Sequence, residues 1–315
     1  MPEISVIIPS HNHAQFIERT LHSVFSQTFL PKKLIVIDDG SKDESVEIIK
    51  IVLKNCPFEN ELIARENRGL CATLNKGFAK TDGEYFAYIG SDDLWLPEFL
   101  AESIALLEKR PNAVLSFGHS FVIDENDKVF DRTDNWTEFA DGDPLPFLLR
   151  GKIFSSPSVV YRRSYLEKFE WNEQSKLEDY EMYLKLSTVG EFARSDKILS
   201  AWRQHQSNTS GQFTKMFPEF IAAQNRLVDI LDIDRKELEQ IQAELKFEAV
   251  ANFIRTGNRR EAFSILRKNL HGAKSSAQIA KMLFRLAIPQ TLFQWNRKRK
   301  KQKAIEKYGK PDLEK

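Results

Sequence analysis

The sequence predicts an α/β protein, with a doubly wound parallel sheet in the first half of the chain and a helical region at its end. The first observation is a set of short apolar runs at Ile4–Ile8, Leu34–Ile37 and Tyr85–Ile89, which are typical of strands buried on both faces. The second is that helical periodicity follows the first two runs, so strand, loop and helix repeat along the chain. Such alternation requires right-handed crossovers between parallel strands.

The individual elements follow from local patterns. Pro9 ends the first strand, because proline has no N–H to give to a sheet. Apolar residues spaced for one helix face then alternate with short β-branched runs. In chain order these patterns predict a helix at 16–25, a strand at 34–37, a helix at 46–53, a short strand at 61–64, a helix at 69–79 and a strand at 85–89.

Polar clusters follow three of these strands, at Pro9–Asn12, Asp38–Ser41 and Ser91–Asp93. Ligands of open parallel sheets bind at the carboxyl ends of the strands, so we expect the three clusters to line one crevice that suits a nucleotide. Asp92 and Asp93 repel each other unless a cation lies beside them, and oxygen ligands of this kind favour Mg²⁺ or Mn²⁺. The alternative is a solvated acidic turn that caps the next helix.

Composition and charge indicate a globular protein with a basic end. The 315 residues are 42% hydrophobic and 29% charged, and a chain of this length can bury a sizeable core. Residues 281–315 hold 11 Lys or Arg and 3 Asp or Glu, whereas the rest of the chain holds 35 and 42. Cys56 and Cys71 are too few for a disulfide framework. The sequence shows neither a secretory signal nor a long apolar run, and we therefore expect a cytoplasmic protein.

Several nucleotide-binding classes are disfavoured by motifs that the sequence lacks. A dinucleotide dehydrogenase would need G-x-G-x-x-G after the first strand, and a P-loop NTPase would need G-x-x-x-x-G-K-[ST]. Asp38-Asp39 after a buried strand also resembles the acidic pocket of receiver domains, but that interpretation leaves two-thirds of the chain without a role. A sugar-nucleotide nucleotidyltransferase shares the order of elements, yet has a Gly-rich, Arg-containing loop where this chain has Pro9–Asn12.

Eight segments in register carry a resemblance to a known family. They are VIIPSHN (Val6–Asn12), SVFSQT (Ser23–Thr28), VIDDGSKDES (Val36–Ser45), ENRGLCATLNKGFAKTDGEY (Glu66–Tyr85), SDD (Ser91–Asp93), SSPSVVYRRS (Ser155–Ser164), LEDYEMYLKLS (Leu177–Ser187) and WRQHQSNTS (Trp202–Ser210). In order and spacing they resemble the inverting glycosyltransferases of family 2, which have the Rossmann-like GT-A fold of nucleotide-diphospho-sugar transferases. The resemblance implies sugar transfer from a nucleoside diphosphate sugar, with a UDP-sugar expected and Mg²⁺ or Mn²⁺ as cofactor. The implied acceptor is a glycan or a lipid-linked glycan, as in bacterial surface-polysaccharide assembly.

The resemblance also implies roles for residues around the donor. Asp39 would accept a hydrogen bond from the base, which uracil or guanine could donate, and Pro9 and Asn12 would shape the same pocket. The alternative for Asp39 is a turn-forming aspartate before a glycine. Asp92 would approach the ribose, and Asp93 would hold the metal ion.

The helix that Gly69 begins carries the clearest departure from the family. Its Asn75 lies near the donor in similar proteins. Many members have an Arg immediately before that Asn, and this chain has Leu74 there. We expect Arg68 or Lys76 to replace the missing cation.

A second acidic pair, Glu178-Asp179, precedes apolar residues that recur at helical spacing. The spacing puts Asp179 in or just before the first turn of an amphipathic helix, where an acid can simply pair with the helix dipole. The resemblance implies instead that Asp179 is the general base facing the acceptor hydroxyl. His205 would complete the metal or diphosphate shell, unless it is structural. No role is assigned to His11, His13, His22 and His119.

The resemblance divides the chain into a GT-A domain at residues 1–210 and a helical region at 211–315. Within the helical region, Phe247–Leu266 predicts a helical hairpin with its turn at Gly257-Asn258. Met282–Lys303 combines an apolar, aromatic stretch with a dense basic cluster, which is typical of an interfacial helix on an anionic membrane. The alternative is a core-docked helix with a solvated basic tail. Nucleic-acid binding is not expected, because the body is acidic and the predicted crevice is lined by Asp.

Two other functions compete with sugar transfer. One is the sugar-nucleotide nucleotidyltransferase, whose loop is missing. The other is a non-catalytic glycan-binding or scaffold protein that retains the fold. The second predicts a broken acidic constellation, yet Asp39, Asp92, Asp93 and Asp179 are all present.

Overall fold

The computed structural model describes residues 2–136, 142–205 and 213–311. Its strands are β1 (Ile4–Ser10), β2 (Lys33–Asp38), β3 (Glu59–Ala64), β4 (Tyr85–Tyr88), β5 (Leu94–Trp95), β6 (Ala113–Ile123), β7 (Val129–Arg132), β8 (Val159–Arg162) and β9 (Glu191–Arg203). They form one sheet in the order β3-β2-β1-β4-β8-β6-β9-β5, and β7 pairs with β6.

Helices cover the sheet and continue beyond it. They are α1 (Ile17–Phe25), α2 (Ser45–Val52), α3 (Leu70–Ala79), α4 (Phe99–Lys109), α5 (Leu145–Leu149), α6 (Arg163–Leu166), α7 (Glu178–Ser187), α8 (Phe213–Leu227), α9 (Arg235–Arg255), α10 (Arg259–Lys268), α11 (Ser276–Ala287) and α12 (Gln290–Tyr308). The predicted strand–helix alternation over the first 90 residues is confirmed. None of the helices in the described ranges is long and apolar enough to cross a membrane.

The first four strands of the sheet order are parallel, as predicted. β1 pairs in parallel with β2 on one side and β4 on the other, and β2 pairs in parallel with β3. The chain order therefore reverses between β1 and β4, which is the switch point where ligands of doubly wound sheets bind. Beyond β4 the sheet is mixed, because β8 is antiparallel to both β4 and β6.

The prediction that Pro9 ends the first strand was wrong, since β1 continues to Ser10. The Ile7 carbonyl accepts the Ile89 N–H on the β4 side of β1. Pro9 lies two residues further along the strand, so its nitrogen faces the same side. The absent N–H of Pro9 therefore points past the end of β4, where the ladder has already stopped at Tyr88. On the other side β1 still pairs with β2, through Ser10 and Asp38. Proline is tolerated here because no bond is lost.

The sheet is buried on both faces, which explains the apolar runs. On β4, Phe86 and Tyr88 belong to one core cluster, and Tyr85 and Ala87 belong to another on the opposite face. Successive side chains of a strand point to opposite faces, so each face needs its own apolar set. Gly77 brings α3 close to β1: a Cβ there would lie 2.4 Å from Ile7 Cδ1.

The helical region shares its packing with the sheet domain. Met216 of α8 and Leu238 of α9 belong to the same core cluster as Tyr180 of α7. The predicted hairpin is confirmed, because α9 ends at Arg255 and α10 begins at Arg259. Its turn uses Gly257 at φ +91°, a conformation that favours glycine. The predicted boundary at residue 210 lies outside the described residues.

The predicted apolar stretch at 282–295 forms two helices, not one. Ile288 is extended and Pro289 follows, so α11 ends before α12 begins. Some apolar residues of this stretch pack into the helical core, and others are exposed to solvent. Buried or packed are Met282, Leu286 and Phe293, and exposed are Leu283, Phe284, Leu292 and Trp295. The basic cluster at 297–303 lies within α12.

Candidate active site

The loops after β1 and β2 are tied together at the carboxyl ends of their strands. The Asn12 backbone N–H donates to Ser41 Oγ at 2.8 Å, and its side-chain Oδ1 accepts from the Lys42 N–H at 2.7 Å. Ser10 Oγ also donates to Asp38 at 3.2 Å. Asn12 adopts φ +55°, a left-handed conformation that asparagine tolerates. The expected convergence of these two clusters is confirmed.

The third cluster, at Ser91–Asp93, is contacted by two imidazoles that converge on Asp92. His205 Nε2 lies 2.9 Å from Asp92 Oδ2, and His13 Nδ1 lies 3.9 Å from Asp92 Oδ1 and 2.8 Å from Ser91 Oγ. One ligand atom from each of His13, Asp92 and His205 falls within 4.8 Å of the others. One carboxylate and two imidazoles form a donor set that a divalent ion can use.

Asp93 has a different partner from Asp92. It is buried, and its Oδ1 accepts the backbone N–H of Arg203 at 2.7 Å. Burial and the neighbouring Asp92 raise the pKa of Asp93 well above its ordinary value. Burial also disfavours the Asp92 charge, but the hydrogen bond from His205 and the nearby His13 hold the Asp92 pKa below its ordinary value. The structure thus separates two adjacent carboxylates into two environments.

Asp39 lies under the start of α3. Its carboxylate accepts the backbone N–H of Gly69 at 2.7 Å and that of Arg68 at 3.1 Å. Gly69 precedes the helix at φ +88° with open space around the position of a Cβ, so glycine is favoured by its backbone conformation alone. Asp39 therefore fixes the loop between β3 and α3.

Arg65 was missed by sequence reasoning. Its Nε donates to Asp39 Oδ1 at 2.8 Å and its Nη2 donates to Thr73 Oγ1 at 2.7 Å. Leu74, where many family members have Arg, is fully buried in the core, whereas Arg68 is exposed. Lys76 lies further along α3. Arg65 immediately follows β3, and a polar residue at the carboxyl end of a strand was the signal that could have identified it.

Asn75 links α3 to the segment before α7. Its Nδ2 donates to the Trp171 carbonyl at 2.9 Å, and its Oδ1 accepts the Trp171 N–H at 2.9 Å. Pro9 pairs with Ile37 in the parallel ladder, next to the loop that carries Asn12. Asn75 thus connects α3 to the segment that leads to the second acidic pair.

The second acidic pair begins α7, which confirms that Asp179 lies in the first turn. Asp179 and Glu178 are half-buried, and Asp179 Oδ1 accepts the Tyr180 N–H at 2.6 Å. Burial raises the pKa of Asp179 to about 6. Burial and the Asp179 charge raise the pKa of Glu178 to about 8. Near neutral pH the pair therefore shares one proton and carries one negative charge.

Polar aromatic atoms surround this pair. The Tyr88 pKa is raised chiefly by burial and also by the charges of neighbours that include Glu178 and Asp179. Leu177 and Tyr180, which flank the pair, belong to the same core cluster as Tyr88 at the end of β4. Within the described residues, the hydroxyls of Tyr88, Tyr161 and Tyr183 and the Trp171 Nε1 are buried without a hydrogen bond of regular geometry.

The fold and site define a class: an α/β protein with a doubly wound sheet and acidic groups at its switch point. A sequence model of Glycosyl transferase family 2 matches residues 5–169, more than half of the chain. The chain belongs to glycosyl transferase family 2. The C-terminal part of the WRQHQSNTS motif, residues 206–210, lies outside the described residues.

Curated relatives agree with the family. An uncharacterised glycosyltransferase of Nostoc sp. is 31% identical over 170 residues, which are 53% of this chain and 52% of the relative. One from Rickettsia typhi is 27% identical over 231 residues, 70% of each chain. Chondroitin synthase of Escherichia coli is 27% identical over 67% of this chain. The chain spans about half of the Nostoc relative and 30% of the chondroitin synthase.

Solved structures share the fold. A mannosyltransferase from Pyrobaculum calidifontis, solved with GDP-Man and Mn²⁺, has a TM-score of 0.64 at 17% identity, over 97% of this chain and 86% of that one. TarS residues 1–349 from S. aureus, solved with UDP-GlcNAc, have a TM-score of 0.58 at 17% identity, over 93% of this chain and 92% of that one. The GT-A fold is thus confirmed, and the family disfavours the nucleotidyltransferase alternative.

Proposed function

We propose that the protein transfers one sugar, with inversion, from a UDP-sugar to a glycan or lipid-linked glycan, and that a divalent ion assists. The observation that carries this proposal is the meeting of Asp92 with two imidazoles at the carboxyl end of β4. This is the crevice where a doubly wound sheet binds nucleotides. The residues that flank the second acidic pair, Leu177 and Tyr180, share a core cluster with Tyr88 at the end of the same strand.

In this proposal the ion is held by His13, Asp92 and His205. Bound there, it would neutralise charge on the departing diphosphate. We move the ion from Asp93 to Asp92 because the Asp93 carboxylate is engaged by the Arg203 N–H. A set with two imidazole nitrogens favours Mn²⁺ over Mg²⁺, since Mg²⁺ prefers oxygen ligands and retains several waters.

The donor base would lie in the pocket of Pro9, Asn12 and Asp39. Asp39 keeps this pocket in shape by holding the 68–69 backbone, and Arg65 adds a cation beside it. The similar structures were solved with GDP-Man and with UDP-GlcNAc, so the fold accommodates both bases. We assign UDP from the resemblance of the Asp39 motif, and titration with both nucleotides distinguishes them.

Asp179 would remove the proton from the acceptor hydroxyl. Its partial burial leaves it reachable while raising its pKa to about 6, which makes it a better base than an ordinary aspartate. A protonated Glu178 beside it would leave the pair with one negative charge, so Asp179 would face no charge repulsion from Glu178. General-base assistance of this kind supplies about 10²–10⁴-fold in rate.

Calorimetric titration of UDP and GDP, with and without Mn²⁺, tests the donor half. Wild type should bind UDP more tightly with Mn²⁺ present, and Asp92→Ala should lose that gain. His22→Ala is the matched control, since His22 is exposed on α1. If neither nucleotide binds under any of these conditions, the transferase proposal is wrong.

We propose that the α11–α12 surface rests on the cytoplasmic face of an anionic membrane, where a lipid-linked acceptor would be found. Leu292 and Trp295 share one face of α12 and are 53% and 58% exposed, and the basic cluster at 297–303 follows on the same helix. Each basic residue near such a surface adds about 1 kcal/mol. The free Cys56 and Cys71 agree with a reducing compartment.

Co-sedimentation with vesicles tests the surface. Wild type should bind vesicles that contain phosphatidylglycerol and not pure phosphatidylcholine, and Leu292→Ser with Trp295→Ser should weaken binding. Leu30→Ser is the control, because Leu30 is 48% exposed in the sheet domain. Equal binding to both vesicle types, or none, contradicts the proposal.

A further inference from the structure

Arg203 lies among the acidic residues of the site, and no role was predicted for it. It ends β9 and is 1% exposed. Its Nε donates to the Asp92 carbonyl at 2.6 Å, and its backbone N–H donates to the Asp93 carboxylate at 2.7 Å. Arg203 therefore contacts both residues of the acidic turn. Its side chain bonds to the Asp92 main chain, and its main-chain N–H bonds to the Asp93 side chain.

The other end of the guanidinium holds the β6–β7 turn. Nη1 donates to the Asp124 carbonyl at 2.8 Å, and Nη2 lies 2.7 Å from Asp127 Oδ1. Arg19 of α1 also pairs with Asp127. A planar guanidinium with its donors in a fixed fork can hold two chain segments at one spacing, which a lysine ammonium cannot.

The Phe16 ring contacts both Arg203 and His205. The Arg203 guanidinium carbon lies 4.6 Å from the Phe16 ring centroid, and that ring lies 5.0 Å from the His205 ring. Both proposed ligands on this side, Asp92 and His205, are thus held in place by groups that Arg203 contacts. A guanidinium that is 1% exposed would be costly unless its donors were paired in this way.

The C-terminal helix packs against the same support from outside. Tyr308 of α12 packs on a small core of Leu94, Ile123, Val129 and Ala201, which lies behind the Asp92–Asp93 turn. The Val129 N–H donates to the Gly309 carbonyl at 2.8 Å. On the same side, Lys301 Nζ lies 4.6 Å from the Phe130 ring and 3.9 Å from Asp124 Oδ2.

We infer that Arg203 is a positioning residue for the Asp92 metal site, and that α12 is the outer part of its support. The C-terminal helix, far from the acidic turn in sequence, then contributes to the affinity of the site by holding the β6–β7 turn on which Arg203 is anchored. This inference rests on the proposed function, since it requires that the site bind a divalent ion.

Titration of the full chain with Mn²⁺ in the presence of UDP, with free Mn²⁺ read by electron paramagnetic resonance, tests it. Arg203→Lys and Tyr308→Ala should each weaken Mn²⁺ binding by about 10-fold or more, as loss of a residue that orients metal ligands does. Tyr308→Phe keeps the ring and should bind as wild type does. Glu306→Ala is the matched control on an exposed position of α12. Wild-type affinity in both Arg203→Lys and Tyr308→Ala overturns the inference and leaves the proposed function standing.

A second measurement needs no variant and so does not depend on whether one folds. Hydrogen exchange of the wild type should slow at the Val129 amide when Mn²⁺ and UDP are added, because coupling between the site and α12 is reciprocal. Unchanged exchange at Val129 in protein that has bound Mn²⁺ overturns the inference. A wild type that binds no Mn²⁺ with UDP or GDP removes the proposed function and the inference together.

Discussion

The Nε2 atom of His205 lies 2.9 Å from Oδ2 of Asp92, although 113 residues separate the two in sequence. The register of two strands brings them together. β5 and β9 are antiparallel with Leu94 opposite Ala201, so the residues just before Leu94 lie beside those just after Ala201. A one-residue slip in this register would turn each side chain to the other face and separate them.

The two adjacent carboxylates can be distinguished by substitution. Asp92→Asn should weaken Mn²⁺ binding by more than about 10-fold, because a charged ligand is lost at a site that neighbouring imidazoles cannot complete alone. Asp93→Asn should weaken it less, since an amide oxygen still accepts the Arg203 N–H. Mn²⁺ titration by paramagnetic resonance measures both. The opposite order of effects would support the assignment of the ion to Asp93 that the sequence predicted.

His13 provides a test of a residue that the sequence did not identify. His13→Ala should reduce Mn²⁺ affinity by about 10-fold, because the variant removes one of three nitrogen or oxygen donors that converge within 4.8 Å. The same titration measures it, with His22→Ala as the control for loss of an imidazole. Equal Mn²⁺ affinities of His13→Ala and His22→Ala would exclude His13 from the site.

The pH dependence of transfer should report Asp179. A general base must be ionised, and the Asp179 pKa is raised to about 6 by burial. We therefore expect kcat to fall as pH drops below about 6, by tenfold per pH unit, with the plateau above it. A pH–rate profile checks this, and Asp179→Asn should lose about 10²–10⁴-fold at the plateau. A profile that stays flat down to pH 4.5 would point to an ordinary carboxylate.

Glu178 should make the protein less stable as pH rises. Its pKa is raised from 4.5 to about 8 in the folded state, so folding takes up a proton between those values and the free energy of unfolding falls across this range. Glu178→Gln should be more stable than wild type at pH 8 by about 1–3 kcal/mol and similar to it at pH 5.

Urea denaturation at the two pH values measures this difference. Glu173→Gln, at an exposed position just before α7, is the matched control and should change neither value. A stability difference between wild type and Glu178→Gln that is the same at pH 5 and pH 8 would contradict the raised pKa.

Asn75 should act through the backbone of Trp171. Asn75→Ala removes two hydrogen bonds to that residue, so unfolding free energy should fall by about 1–3 kcal/mol. Asn60→Ala, exposed on β3, is the control for loss of an amide. Reduced UDP affinity at unchanged stability would instead support the donor contact implied by the resemblance.

Much of the fold could be predicted because its signals are local. β-branched runs, helical spacing and the Gly257-Asn258 turn act over a few residues, and these elements are confirmed. The crevice was also predictable, because parallel strands place their carboxyl ends together. Pro9 was misjudged because whether a strand loses a bond at proline depends on where the neighbouring strand ends, which no local pattern contains.

The sequence by itself determined the parallel half of the sheet, the family and the set of acidic residues at the strand ends. Only the tertiary structure decided that Asp92 and not Asp93 faces two imidazoles, that Arg65 lies beside Asp39, and that α12 packs behind the acidic turn. The physical reason is the distance along the chain over which each interaction acts. Periodicity fixes which residues form an element, whereas the direction of a carboxylate depends on strand register and on buried charges contributed by distant parts of the chain.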